Sequence, residues 1–303
     1  MSAQSPKVSS FNEYSKNVFS QFGEDGIIQE ILARIHGSPD FAGGACVEFG
    51  AWDGRHLSNT YNLISNRGYS AVLIEADSEK YLALCENVPG DHVVRMNEFV
   101  TFEGDTTLDR LLSRTNVPVD FDLLSIDIDG NDYHILESLK AYRPKLICIE
   151  FNPTIPNEVE YVQPRDFGVK RGASPKSIVS LASSMDYVAV AATVCNLILL
   201  DRQFVAKVGL LSEPALHEIR DDDHAKVYLF CGYDGELIMS HDLNMLWHGF
   251  HVKSTDVQVL PRIIRKFPDD YSLLRRMLYR IFRLSRKSAN EWVNSLKGRM
   301  RSN

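Results

Sequence analysis

The segment Val47–Gly54, with the sequence VEFGAWDG, constrains the fold of this chain more than any other stretch. A short apolar run leads into the acid Glu48, and a turn flanked by Gly50 and Gly54 follows before a helical pattern begins. A strand that runs through a glycine turn into a helix brings backbone N–H groups close to a nucleotide-like ligand. The sequence therefore predicts that this strand, turn and helix form one side of a ligand site.

Strand-like and helix-like patterns alternate along the chain. The strand-like runs are apolar and nearly continuous, which is typical of parallel strands buried on both faces; they are Ala45–Phe49, Ala71–Glu75, His92–Met96, Phe121–Ile128, Lys145–Phe151, Tyr187–Val194 and Leu197–Leu200. Helix-like spacing falls in Leu57–Ser65, Ser78–Glu86, Thr107–Thr115 and Asp132–Tyr142. The alternation predicts an α/β fold, a doubly wound and mostly parallel seven-stranded sheet with ligands beyond the carboxyl ends of its strands.

The spacing of the glycine turn bears on the kind of ligand. It reads E-x-G-x-x-x-G and lacks the three close glycines that a pyrophosphate needs. The acid Glu75 ends the second run, where it can bind a ribose diol, although it can also stabilise the start of the helix Ser78–Glu86. We infer S-adenosylmethionine, which has an ammonium, a ribose and an adenine but no phosphate. The predicted binding residues are Glu48, Gly50, Asp53, Gly54, Glu75, Asn97 and Asp127.

Polar residues also follow the fourth and fifth strand-like runs. Asp127, Glu150 and Asn152 are expected to converge if these strands are neighbours, and their oxygens suit Mg²⁺ or Mn²⁺. Such a cation lowers the pKa of an acceptor hydroxyl. Without a metal, Asp127 or His134 can act as the general base, which makes Asp127, Glu150 and His134 the catalytic candidates. The alternative is that Asp129 or Asn131 caps the helix that follows.

Composition excludes several classes of protein. The chain has 303 residues, 44% of them hydrophobic and 24% charged, which is ordinary for a globular protein. Its five cysteines form no C-x-x-C pair, and no apolar run reaches the length of a membrane span. These features predict a reduced, cytoplasmic protein without a zinc site.

The charge is unevenly distributed. Residues 262–303 hold twelve Lys and Arg against three acids, a balance of +9, which leaves about −16 on the remainder of a chain whose net charge is −7. An acidic body argues against nucleic-acid binding. We predict one α/β domain over 1–203 with a helical lead-in, a mixed extension packed on it over 204–260, and a basic amphipathic helical tail over 261–303. The tail is expected to contact an anionic membrane, the acidic body or a second subunit.

The motifs VEFGAWDG, LIEAD, TTLDRLL, LLSIDIDGNDYHILESL and LICIEFNP, in this order, resemble the FkbM-type family of S-adenosylmethionine-dependent methyltransferases. The resemblance covers roughly Ser20 to Asp201. It implies a class I, Rossmann-like methyltransferase fold and methylation of hydroxyls on sugars or polyketides. The SQFGEDG lead-in resembles a subgroup in which Gln21 contacts the cofactor.

VEFGAWDG also resembles the glycine turn of catechol O-methyltransferases, which bind Mg²⁺ with an acid on the fourth strand and an adjacent acid–amide pair after the fifth. Here Phe151 separates Glu150 from Asn152, and Trp52 replaces the second glycine of the usual turn.

The sequence thus predicts an O-methyltransferase that acts on a hydroxyl of a sugar, glycan or related small molecule. Two alternatives stay open at this point. One is an NAD-type oxidoreductase, which the missing third glycine disfavours. The other is a non-catalytic module that binds glycans or membranes through its basic tail.

Overall fold

The computed structural model describes residues 8–300, and of residues 287–300 it gives the backbone alone. The chain divides into two compact units, Met1–Ala225 and Lys226–Asn303. Each unit has its own secondary structure and is described by itself.

The first unit contains a seven-stranded sheet. Its strands are β1 Ala45–Phe49, β2 Ser70–Ile74, β3 Val93–Met96, β4 Leu123–Ile126, β5 Leu146–Glu150, β6 Tyr187–Ala192 and β7 Asn196–Asp201. Their order across the sheet is β3-β2-β1-β4-β5-β7-β6. Neighbours from β3 to β5 run parallel, whereas β7 is antiparallel to both β5 and β6. The predicted doubly wound, mostly parallel sheet is confirmed, and its strand order reverses direction between β1 and β4, where ligands of such sheets bind.

Helices cover both faces of this sheet. They are α1 Glu24–His36, α2 Tyr61–Arg67, α3 Ser78–Asn87, α4 Leu108–Leu112, α5 Asp132–Ser138, α6 Pro175–Ser184 and the short α7 Leu216–Ile219. The apolar residues of α1, α2 and α3 join one core with Cys46 of β1, and those of α4, α5 and α6 join a second core with Val47 and Phe49. Because side chains alternate along a strand, one apolar run supplies both cores.

Two helices begin at other residues than the pattern predicts. The helix after the glycine turn starts at Tyr61 and not at Leu57, because Leu57 has a φ of +57° and the side chains just before Tyr61 bind Glu48. The first helix starts at Glu24. The helical spacing of the apolar residues after Gly26 predicts Asp25 as the N-cap of this helix, but Asp25 lies inside its first turn and accepts hydrogen bonds from three preceding backbone N–H groups.

Residues 204–225 belong to the first unit. Val208 is fully buried, and its carbonyl accepts a hydrogen bond of 2.8 Å from Arg34 Nη1 on α1. Arg220 is also buried and donates through Nη2 to the carbonyl of Pro153 at 2.8 Å. The boundary predicted after residue 203 therefore falls inside this unit, while the three-part division of the chain stays a prediction.

The second unit holds two hairpins and a long helix. The strands β8 Leu229–Cys231 and β9 Leu237–Met239 form a hairpin around Tyr233 and Gly235, and β10 Leu243–Met245 pairs with β11 Phe250–Val252. Helix α8 spans Leu273–Met300, within the predicted tail. Among the described residues, no helix combines the length and the apolar character that crossing a membrane requires.

Candidate active site

The glycine turn after β1 depends on the absence of two side chains. Gly50 has a φ of +73°, and a Cβ added there would lie 1.8 Å from the backbone oxygen of Asp127, at the end of β4. Gly54 has a φ of +76°, and its Cβ would lie 2.4 Å from Leu84 Cδ1 on α3. The turn therefore packs directly against the neighbouring strand end and the next helix. This close approach places it beside the polar residues that follow β4.

Glu75 fastens this turn to the end of β2. Its buried carboxylate accepts one hydrogen bond of 2.8 Å from the backbone N–H of Trp52 and another of 2.8 Å from that of Asp77. The capping of α3 is the work of Asp77, whose side chain accepts from the N–H groups of Glu79 and Lys80. Glu75 thus occupies the strand end expected of a ribose-binding acid and leaves the helix N-terminus to its neighbour.

Glu48 organises the chain between the turn and α2. Its buried carboxylate accepts hydrogen bonds from Ser58 Oγ at 2.6 Å, Thr60 Oγ1 at 2.7 Å and the backbone N–H of Asn59 at 3.0 Å. Burial raises the pKa of Glu48, and these hydrogen bonds oppose the shift. The structure shows this acid ordering the segment before α2, and a direct contact with the cofactor stays a prediction.

Three further predicted cofactor residues lie around the same edge. Asp53 accepts hydrogen bonds from the N–H groups of Arg55 and His56, at 2.9 and 2.7 Å, inside the turn. Asn97 donates to the carbonyl of Glu75 at 2.8 Å and so ties the end of β3 to β2. Gln21 is exposed in the segment before α1. Their contacts with a cofactor stay predictions.

The segment before α1 is held at the same edge by Glu24, which the sequence did not single out. Its fully buried carboxylate accepts from Thr193 Oγ1 at 2.6 Å and from Asn196 Nδ2 at 3.1 Å. Asn196 begins β7 and lies directly opposite Glu150 of β5. The lead-in that carries Gln21 is therefore fixed near the carboxyl end of β5.

Three carboxylates meet beyond β4 and β5. Each of Asp127, Asp129 and Glu150 offers an oxygen, and these oxygens all lie within 4.8 Å of one another. A hydrogen bond joins the side chains of Asp127 and Glu150. The sequence predicted the pairing of Asp127 with Glu150 and missed Asp129, whose φ of +55° belongs to the turn after β4.

The crowding of these acids raises their pKa values. Desolvation of the Asp127 carboxyl group, followed by the charges of Asp132 and Asp129, raises its pKa. Burial and then the charge of Asp127 raise the pKa of Glu150 well above its ordinary value. The direction is the same for both groups, so the pair retains a proton that isolated carboxyls would lose.

Asn152 and His134 have other partners in this structure. Asn152 Oδ1 accepts from Thr154 N at 2.9 Å and Thr154 Oγ1 at 2.7 Å, and its Nδ2 donates to the carbonyl of Arg171. His134 is buried on α5, where its Nε2 lies 2.9 Å from the carbonyl oxygen of Gln163. Both side chains thus fasten the loop after β5, and their predicted roles as metal ligand and base stay predictions.

Gln163, which sequence reasoning did not identify, organises that loop. Its side chain is 2% exposed; Nε2 donates to the carbonyl of Val169, and Oε1 accepts from the N–H groups of Arg171 and Gly172. A Cβ added to Gly130 would lie 3.1 Å from Gln163 Oε1, so the loop packs against the turn that carries Asp129. A lone glutamine in a proline-rich segment gives no periodic signal that could have revealed this role.

Residues 101–188 match the family model described as the methyltransferase FkbM domain. This part of the chain, which is less than a third of its length, is similar to that domain. The matched range runs from the loop after β3 to the start of β6, so it includes the carboxylates beyond β4 and β5. With the strand order above, the match shows an S-adenosylmethionine-dependent methyltransferase of class I and decides against an NAD-type oxidoreductase.

Several solved methyltransferase structures are similar to part of this chain, each at low sequence identity. A 1,6-didemethyltoxoflavin N1-methyltransferase of Burkholderia thailandensis, with bound S-adenosylhomocysteine, is 12% identical over 59% of this chain and 77% of its own, with a TM-score of 0.36. A TehB-like enzyme of Corynebacterium glutamicum is 13% identical over 57% and 87%, with a TM-score of 0.31. A methyltransferase of Aquifex aeolicus is 10% identical over 59% and 88%, with a TM-score of 0.34. The search of curated proteins gives no match.

Proposed function

We propose that this methyltransferase transfers the methyl group of S-adenosylmethionine to a hydroxyl of a sugar, glycan or related small molecule. The observation that carries the proposal is the hydrogen-bonded pair of Asp127 and Glu150, with Asp129 beside it, at the strand ends next to the glycine turn. Transfer to a hydroxyl oxygen requires that its proton be removed, and a carboxyl pair with displaced pKa values is suited to that task.

The edge formed by β1 and β2 suits the cofactor. Each oxygen of Glu75 accepts one backbone N–H, and a carboxylate has about four acceptor positions, so both oxygens keep capacity for ribose hydroxyls. The Gly50–Gly54 turn has no side chain at the point where it meets β4. We propose that Gln21, Glu48, Asp53, Asn97 and Asp127 complete this binding site. When bound, S-adenosylmethionine supplies a methyl group activated by its sulfonium.

The carboxyl pair supplies the proton chemistry. Since burial and mutual repulsion raise the pKa of both groups, one proton stays between Asp127 and Glu150 near neutral pH. The remaining negative charge can accept the proton of an acceptor hydroxyl as the methyl group arrives. The protonated partner stays hydrogen-bonded to it, which keeps the accepting oxygen in place.

A hard cation is the second part of the proposal. The donor set of Asp127, Asp129 and Glu150 is all carboxylate oxygen, which fits Mg²⁺ or Mn²⁺, and Asn152 would have to give up its contacts with Thr154 to join it. When bound, such a cation lowers the pKa of an acceptor hydroxyl. Binding requires the shared proton to leave, so we expect the metal affinity to rise with pH.

The loop after β5 is proposed to bind the acceptor. It packs against the turn of Asp129, and its Lys170 and Arg171 are both exposed. Arg165 is already engaged, because it lies 4.5 Å from the ring centroid of Phe102 and donates to that residue's carbonyl. Lys170 and Arg171 are therefore the better candidates to contact an anionic group on a sugar.

Calorimetry and product analysis test the proposal. We expect Glu75→Ala to weaken S-adenosylmethionine binding about tenfold or more, since buried hydrogen bonds to a carboxylate are lost, while the exposed control Glu79→Gln binds normally. Incubation with hydroxylated sugars should yield S-adenosylhomocysteine and an O-methylated product identified by mass spectrometry. Methylation of nitrogen or carbon only would refute the hydroxyl acceptor, and unchanged binding by the Glu75 variant would refute its role.

A further inference from the structure

The first half of α8 presents an apolar side that protein atoms leave uncovered. Leu273, Met277, Ile281 and Leu284 are 86%, 53%, 57% and 67% exposed. Their spacing of four, four and three residues places them on one side of the helix. These four residues are called the apolar side of α8 below.

The arginines of the same segment begin at one border of the apolar side and continue away from it. Helical spacing places Arg280 and Arg276 next to the apolar side and Arg283, Arg286 and Arg275 progressively further round the helix, and the sequence has no acid between residues 271 and 286. Arg275 and Arg276 donate only to backbone carbonyls, those of Ile263 and Tyr271. Among the side chains that the structure describes, those of residues 8–286, none forms an ion pair with these five arginines.

Exposed aromatic residues accompany the helix within the second unit. Phe230 of β8 is 53% exposed, Trp247 64%, Phe250 of β11 68% and Phe267 48%. Trp and other aromatic side chains are favoured where an apolar phase meets water and charged headgroups. A second, independent part of this unit thus has the composition of an interfacial surface.

We propose that α8, with its apolar side and its five arginines, binds the surface of an anionic lipid bilayer. A helical segment with a narrow apolar side, a basic polar side and no acids, as the residues of α8 up to Arg286 have, lies in the plane of a membrane interface. Its arginines then meet lipid phosphates, which they bind through paired N–H groups. Exposed Leu, Ile and Met side chains insert among acyl chains without needing a shaped partner.

The alternative is that α8 binds a protein surface, the acidic first unit of the same chain or of a second copy. A protein surface has carboxylates at fixed positions, so we would expect arginines only at the helix positions that face them and uncharged polar residues at the other positions. Instead, every charged residue of α8 up to Arg286 is an arginine. A uniform positive charge is complementary to a fluid, uniformly negative surface.

Vesicle sedimentation with the full chain tests the proposal. We expect the protein to sediment with vesicles of phosphatidylcholine and phosphatidylserine and to stay in solution with phosphatidylcholine alone. The double variant Arg280→Gln/Arg283→Gln should lose about tenfold or more in affinity. The control Lys140→Gln/Lys207→Gln removes the same charge from exposed positions of the first unit and should bind as the wild type does.

Three results would overturn the proposal: no binding to either vesicle, equal binding to both, or equal losses in the arginine variant and its control. Light scattering of the free protein tests the alternative that α8 binds a protein surface. A dimer that the arginine variant converts to a monomer, without vesicle binding by the wild type, would assign α8 to a second copy. Binding of S-adenosylmethionine by every variant shows that the first unit is folded, and its outcome is independent of the lipid result.

Discussion

The acids on the two sides of the site are satisfied in different ways. After β1 and β2, Glu48 and Glu75 accept hydrogen bonds from hydroxyl and backbone N–H groups and need no ligand to complete them. After β4 and β5, Asp127 and Glu150 are bonded to each other and repelled by further acids. The acids after β1 and β2 therefore stabilise the local backbone. The acids after β4 and β5 repel one another, and a bound proton or cation reduces this repulsion. We therefore place cofactor binding on the first side and chemistry on the second.

The largest effect is expected where the two sides touch. Gly50→Ala places a Cβ 1.8 Å from the backbone oxygen of Asp127, and a backbone oxygen cannot move aside as a flexible side chain can. We expect the free energy of unfolding to fall by about 3 kcal/mol or more, measured by chemical denaturation. Cofactor affinity should fall with it.

Gly68→Ala is the matched control for that substitution. Gly68 has a φ of +66°, similar to that of Gly50, but a Cβ added there meets nothing within 4 Å. Only the strain of the left-handed backbone remains, which costs about 1 kcal/mol. If the two variants are equally destabilised, the close approach of the turn to β4 is not what holds the two sides together.

The second largest effect is expected for Glu150→Gln, which should lower the rate of methyl transfer without weakening cofactor binding. Glu150→Gln removes one member of the carboxyl pair and should slow methyl transfer roughly a hundredfold or more, because the pair can no longer hold and exchange its proton. Calorimetry should show the affinity for S-adenosylmethionine nearly unchanged. The exposed Glu103→Gln is the control. A loss of cofactor affinity as large as the loss of rate would mean that Glu150 serves cofactor binding and not the chemical step.

The carboxyl pair also predicts how stability depends on pH. The pKa of Asp127 rises from 3.8 to about 7, and that of Glu150 rises further in the same direction. At a pH between 3.8 and about 7, the carboxyl pair of the folded protein therefore binds protons that the same groups of the unfolded chain have lost. Its stabilisation is therefore complete below about pH 4 and is lost as pH rises through 7. Denaturation in a chelator should show a lower free energy of unfolding at about pH 8 than at about pH 5.

Glu150→Gln tests the origin of that slope. The variant lacks one titrating group of the pair, so its stability should fall less over the same pH interval. Adding Mg²⁺ should restore part of the wild-type stability at the higher pH, because metal binding needs the deprotonated carboxylates. A wild-type stability that rises with pH would contradict the shared proton.

The same comparison explains what the sequence could predict. Continuous apolar runs located the strands within a few residues, and β1 has the predicted bounds, because burial on both faces demands such runs. The start of α2 was displaced by four residues, since Ser58, Asn59 and Thr60 bind Glu48 at the end of β1. The helix propensity of these residues cannot predict that tertiary contact.

The catalytic side was predictable only as far as strand alternation extends. Asp127 and Glu150 follow neighbouring strands, so their meeting could be inferred from the order of the sheet. Asp129 completes the cluster through a turn with positive φ, and Gln163 positions the loop by bonds to Val169 and Arg171. Turns and loops of this kind carry no periodic pattern, and their geometry appears only in the fold.

The smallest effect is expected for Asp77→Ala, which tests whether Asp77 and its neighbour Glu75 have different roles. Asp77 caps α3 at the surface, whereas Glu75, two residues earlier, is buried and holds the glycine turn. Asp77→Ala should lower the free energy of unfolding by about 1 kcal/mol, the usual loss of an N-cap, and leave cofactor affinity intact. Calorimetry of this variant beside Glu75→Ala gives the decisive measurement. A comparable loss of affinity in both would mean that the cofactor senses the start of α3 as a whole, and that Glu75 has no special part in binding it.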